Sequence, residues 1–82
     1  MSCWIWVGGE ADHVPQSYGP YTDREKAKAA LLERGWKPGG PWKDGFEATR
    51  RISSFDFFRI WAQIQDHPYG WNPEILPHNA QP

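Results

Sequence analysis

Residues 57–65 read Phe57-Phe58-Arg59-Ile60-Trp61-Ala62-Gln63-Ile64-Gln65, and whether they form a strand or a helix decides the fold. Period two puts Phe58, Ile60, Ala62 and Ile64 on one side and Arg59, Trp61, Gln63 and Gln65 on the other, as in a strand with one apolar face. A helical reading would instead group Phe57, Trp61 and Ile64, or Phe55, Phe58 and Ala62, with Ser54 as a cap. The strand reading is preferred, because β-branched and aromatic residues are enriched and Ser53-Ser54 supplies a turn before them.

Upstream of this stretch, Asp44-Gly45 stands between Trp42-Lys43 and Phe46-Glu47-Ala48-Thr49. Asp-Gly between such runs is the signature of a two-residue turn whose central positions take positive φ, so residues 41–52 are expected to form a hairpin. Pro38-Gly39-Gly40-Pro41 reads as a loop leading into it. Earlier still, Thr22 and Glu25 have the spacing of a capping box, and residues 23–34 are helix formers with an apolar stripe of Ala27, Ala30 and Leu31. Gly35 should end this helix in the left-handed conformation, letting Trp36 fold back on Leu31. Cys3 to Val7 has the composition of a central strand, apolar on both faces and ended by Gly8-Gly9. Between strand and helix, Glu10 to Tyr18 lacks periodicity and reads as loop. Past Asp66, Pro68, Pro73, Pro77 and Pro82 oppose regular structure, although Tyr69, Trp71, Ile75 and Leu76 make the segment more apolar than a linker.

The expected architecture is an α+β domain over residues 1–66: a single helix packed on a three- to four-stranded antiparallel sheet, in the order β-α-β-β-β. Residues 67–82 would form an irregular, Pro-rich C-terminal tail. A chain of 82 residues buries only roughly 60–65% of its unfolded surface. Six tryptophans and four phenylalanines nevertheless supply enough apolar area for a core without disulfides or metals. Cys3 is the single cysteine, so no internal disulfide can form, and a reducing cytoplasmic compartment suits the chain. The apolar run at Cys3–Val7 is far too short to span a membrane. Nine basic residues against ten acidic ones, a net charge of −1, give no bulk attraction to phosphate backbones or anionic lipid.

Function must then come from particular surfaces. If Cys3, Ile5 and Val7 face the helix, then Trp4 and Trp6 face away from it and are joined by Trp61 and Arg59. One helix covers one side of a sheet, so this second face must meet solvent, the tail or a partner. Folding back of Trp71, Ile75 and Leu76 would cover it from within; otherwise it is a surface for a protein partner or for self-association, built on residue types common at binding hot spots. The alternative is single-stranded nucleic acid held by Arg50, Arg51 and Arg59 with Thr49 and Trp61, diluted by Glu47 and Asp56. His13, His67 and His78, with Cys3, Asp12 and Asp66, lack metal-ligand spacing. Neither Cys3 nor Ser53 and Ser54 comes with a base and an orienting group, and Glu10 with Asp12 reads as solvated charge. No catalytic residue, metal or cofactor is expected, and the chain reads as a non-enzymatic interaction module.

Gly19-Pro20-Tyr21-Thr22, followed by an Ala-rich charged helix ending in Arg34-Gly35-Trp36, resembles a pattern in small bacteriophage accessory proteins. Residues 3–37 also faintly resemble the first strand-and-helix half of peptidoglycan-binding SPOR domains, although the second SPOR helix has no counterpart here. The phage resemblance implies a small protein that binds and obstructs a host protein, including anti-defence inhibitors.

Overall fold

A computed structural model of the chain describes residues 2–9, 15–51, 53–68, 70–72 and 76–80, with the backbone alone for Trp71 and Asn72. One helix, α1 (Arg24–Glu33), packs on a six-stranded sheet formed by β1 (Cys3–Gly9), β2 (Gln16–Tyr21), β3 (Lys37–Pro38), β4 (Phe46–Arg51), β5 (Phe57–Gln65) and β6 (Trp71–Asn72). Their spatial order is β3-β4-β5-β1-β2-β6. Five strands are antiparallel to their neighbours, and the two-residue β6 joins β2 in parallel. The expected α+β fold, with one helix on an antiparallel sheet, is therefore present with more strands than anticipated.

Residues 57–65 form a strand, and their alternation sets the layers. In the central pair, Ile5 lies opposite Ile64 and Val7 opposite Ala62, while on the other side of β5 Phe46 pairs with Ala62 and Ala48 with Ile60. All of these side chains point toward the helix and are buried, with Cys3, Tyr18, Ala27, Leu31, Trp36 and Leu76 completing one core. β2 was missed by the pattern reading, which took residues up to Tyr18 as loop. Only Ser17 and Tyr18 of this strand are buried, and β2 is held by pairing with β1 and by the Ser17 N–H donating to Gly70 O at 2.8 Å. A bulge falls where Cys3 pairs with Tyr21 but Ile5 with Tyr18, beside the cis Gly19–Pro20 peptide.

The helix starts one residue later than the capping box implied. Asp23 is the N-cap, its Oδ1 accepting from the Lys26 N–H at 2.8 Å, so the carboxylate also meets the positive end of the helix dipole. At the other end the Gly35 N–H donates to Leu32 O and the Trp36 N–H to Leu31 O, with Gly35 at φ 82°. This is the Schellman closure expected from Gly35-Trp36. The hairpin before β4 is longer than Asp44-Gly45 implied: Lys37 and Pro38, not Trp42 and Lys43, pair with Glu47 and Phe46. Residues 39–45 form its loop, and Pro38 is tolerated because β3 is an edge strand.

The tail at 76–80 is irregular in backbone yet belongs to the same core. Leu76 is buried, and Pro77 O accepts the indole N–H of buried Trp36 at 2.8 Å. Asn79 closes the join between helix end and sheet. Its N–H donates to Arg34 O, its Nδ2 donates to Gly35 O, and its Oδ1 accepts from the Thr49 N–H. The Ala80 N–H then donates to Thr49 O at 2.7 Å. This strap occupies the edge of β4 beyond the point where β3 ends. Asn79→Ala leaves the Thr49 N–H and Gly35 O without these partners and should lower unfolding free energy by about 1–3 kcal/mol, read from the urea midpoint; an unchanged midpoint would mean that the strap is not part of the cooperative unit.

Candidate functional site

The face of the sheet opposite α1 is assembled by the same register. Trp4 lies opposite Gln65, Trp6 opposite Gln63 and Gly8 opposite Trp61. Across β5, Trp61 pairs with Glu47, Arg59 with Thr49 and Phe57 with Arg51, and Lys37 lies beside Glu47 at the edge. An aromatic half around Trp4, Trp6 and Trp61 thus adjoins a charged half around Lys37, Glu47, Arg59 and Arg51.

The indoles are pressed onto the backbone. A Cβ at Gly8 would stand 2.5 Å from Cη2 of Trp6, so the six-membered ring of Trp6 fills the space a side chain would need. At Gly40 a Cβ would stand 2.8 Å from Cδ1 of Trp61, which brings the loop of residues 39–45 over that ring. The same loop places Trp42 against Trp6, centroid to centroid 5.1 Å and inclined by 74°, an edge-on geometry favoured by ring quadrupoles. Trp4 lies near Gly19, with its Cδ1 3.1 Å from where a Cβ would be. Even so, Trp4, Trp6, Trp42 and Trp61 all remain partly exposed.

The tail does not cover this face through Leu76, which is buried in the core on the helix side. Ile75 lies outside the described residues, as does the side chain of Trp71. Cover comes instead from the Gly-rich loop, which sequence reasoning recognised as a loop without assigning it a surface. The signal was there in Gly39-Gly40 followed by Trp42: glycines allow a close approach, and an aromatic in a loop needs something to pack on.

The three arginines proposed for nucleic acid do not share a face. Arg51 and Arg59 project outward, but Arg50 pairs with Phe58, which packs against the core side. Adjacent strand residues point oppositely, so Arg50 and Arg51 cannot line one surface. Arg51 lies over the Phe57 ring at 5.7 Å, and its Nε donates to Ser53 O. The β4–β5 turn is fixed by Ser53, whose Oγ accepts the N–H groups of Phe55 and Asp56 and donates to Asp56 Oδ2. Phe55 at its tip is 92% exposed. Beside the Trp61 pairing position, an open depression of about 180 Å³ is lined by Lys37, Glu47, Ala48, Thr49, Arg59 and Asn79.

Among the described residues no three His, Cys, Asp or Glu side chains gather as metal ligands. Glu10, Asp12 and His13 lie outside them, and His78 Nε2 accepts from Arg34 at 3.2 Å. No described helix is long and apolar enough to cross a membrane. Comparison with family models, with curated proteins and with solved structures finds no match to this chain.

Two weak acids, buried Cys3 and half-buried Tyr21, bear on pH behaviour. Burial pushes the Cys3 thiol above its ordinary range, only partly opposed by Arg24, and burial also raises the Tyr21 hydroxyl against a smaller opposing pull from Arg34. Both anions are disfavoured in the folded chain, so their contribution to stability is intact below the unfolded pKa values and falls away as pH rises through them. Stability should decline above about pH 8.5, where the unfolded thiol ionises. A melting-temperature series from pH 7 to 10.5 should show the decline beginning at higher pH in Cys3→Ala; identical alkaline limbs would rule out the thiol as its first cause. Gly8→Ala tests the seat of Trp6 separately. It should cost about 1–3 kcal/mol through overpacking and red-shift tryptophan emission, whereas unchanged emission and melting would mean that no seat exists.

Proposed function

We propose that this protein is a non-enzymatic interaction module that docks another protein through the sheet face opposite its helix. Support comes from one observation above the rest: indoles on the outward side of β1 and β5 pack against glycines, Trp6 on Gly8 of the sheet and Trp61 under Gly40 of the loop, keep partial exposure and have Arg59 beside them. Tryptophan and arginine are the residue types that dominate binding energy at protein interfaces. Rings already seated on backbone lose little freedom when a partner arrives. The phage-like resemblance adds the finer reading of a small accessory protein that obstructs a host protein, acting in the reducing cytoplasm that suits its lone buried thiol. Self-association through the same face is the closest variant, and single-stranded nucleic acid the alternative class.

Trp61→Ala separates interaction from folding. It should remove binding of a partner captured from host lysate, identified by mass spectrometry and rebound in purified form. Its loss of stability should be less than half the roughly 2–5 kcal/mol that Ile60→Ala costs from the core side of the same strand. Retained partner binding in Trp61→Ala would sink the proposal, and a loss of stability equal to that of Ile60→Ala would make Trp61 a core residue. Sedimentation of the wild type as a dimer that Trp61→Ala dissociates would assign the face to a second copy.

A further inference from the structure

We infer that the cleft holding residues 76–80 is a peptide-recognition groove that also takes the strap of a second copy of the chain, so that concentrated chains exchange straps and close as a two-fold pair. The groove lies between the end of α1 and the edge of β4 past the short β3. It presents Arg34 O and Gly35 O from the helix end, the N–H and O of Thr49, and the indole N–H of Trp36. The strap answers each of them. Asn79 meets the two carbonyls and the Thr49 N–H, Pro77 O takes the indole, and the Ala80 N–H meets Thr49 O. Leu76 is its buried anchor, whereas Pro77, Asn79 and Ala80 are half-buried and His78 is exposed. An apolar anchor, an asparagine three residues on that reads backbone groups, and a single pairing with a strand edge are the contacts by which peptides are held at a sheet edge.

Exchange keeps every one of these contacts, because the second copy supplies the identical sequence. An emptied groove has no such compensation: water replaces the hydrogen bonds but not the leucine, which stands in one core with Leu31 and Trp36. A foreign segment would need leucine and asparagine at this same spacing, and another copy carries them by construction. The balance between closed monomer and exchanged pair is then set by concentration. A strap tethered to its own body competes at an effective concentration on the order of mM, so exchange is suppressed in dilute solution and rises as chains are concentrated or as the tethered strap is weakened. Each chain gives and receives the same contact, which closes the pair by two-fold symmetry. None of the hydrogen-bonding groups of the groove lies on β1 or β5, so the inference does not rest on the docking face.

The test uses full-length chains and a fluorescent peptide with the sequence of residues 74–82. In Asn79→Ala the tethered strap is weakened and the groove is intact, so the peptide should bind this variant roughly tenfold or more tighter than wild type and should raise its melting temperature toward the wild-type value. Replacing the peptide's asparagine with alanine should weaken binding by about tenfold or more. In wild type, differently isotope-labelled chains mixed at a concentration on the order of mM should form dimers of mixed mass that excess peptide dissolves and that Trp61→Ala retains. Absence of peptide binding or of thermal rescue in Asn79→Ala, or indifference to the peptide's asparagine, would overturn the groove. Wild type that stays monomeric at that concentration, or a dimer that the peptide leaves intact or that Trp61→Ala dissociates, would overturn the exchange. The wild-type arm decides alone should Asn79→Ala not fold.

Discussion

The pairing of β1 with β5 is the contact on which the rest of the molecule depends, because it fixes the two central strands of the sheet and sorts their side chains at once. Ile5 against Ile64 and Val7 against Ala62 send small and branched apolar groups to the helix, and the same register sends Trp4, Trp6 and Trp61 the other way. A slip of one residue would exchange the two sets. The helix-side layer would then have to admit three indoles where Ala62 and Val7 now allow α1 to approach closely. The opposite layer would expose aliphatic groups with no cover. Register is therefore specified by volume as well as by polarity.

A single ten-residue helix cannot close even its own side of a six-stranded sheet. Trp36 and Leu76 extend the core beyond α1, one from the chain leaving the helix and the other from the C-terminal strap. They are joined through the Trp36 indole N–H and Pro77 O, which lets a tryptophan be buried without leaving its donor unsatisfied. Asn79 does the corresponding work for the backbone. It takes carbonyls freed at the end of α1 and an N–H freed on β4 past the short β3. In a chain this small the strap substitutes for a longer edge strand, and its prolines are compatible with that role because it forms isolated contacts rather than a ladder.

The parts that were legible in the sequence are those with a strong local code. Alternation in Phe57–Gln65, the apolar run at Cys3–Val7 and the Gly35-Trp36 stop each carry a pattern that tertiary context had no reason to override, although Gly8 and Gly9, expected to end the first strand, continue it by pairing with Trp61 and Ile60. Gln16–Tyr21 carries none: it holds a glycine and a proline, and its strand character comes from backbone pairing with a neighbour already in place. Asp44-Gly45 misled because the turn code is local while the partner of β4 is not. Asp44 does take φ 59°, yet Trp42 is drawn onto Trp6 and the pairing passes to Lys37 and Pro38. The outward face was legible as far as Trp4, Trp6, Trp61 and Arg59. Lys37 and Trp42 joined it only through that longer loop, and Arg50 left it by simple alternation.

The glycines packed against the indoles bear on the stiffness of this face. Tryptophan on an exposed sheet surface can turn about two side-chain torsions, and freezing them opposes association. Where Trp6 fills the space above Gly8 and Trp61 lies against Gly40, much of that freedom has already been removed within the folded chain. Gly8 also weakens its own strand, since glycine packs nothing and loses more backbone entropy on ordering; covering it with an indole recovers packing that the strand would otherwise lack. The same contacts hence stabilise the sheet and stiffen its outward surface. Under the proposed docking role, such a surface would offer a partner a shape already fixed in the folded chain rather than one that has to order on contact.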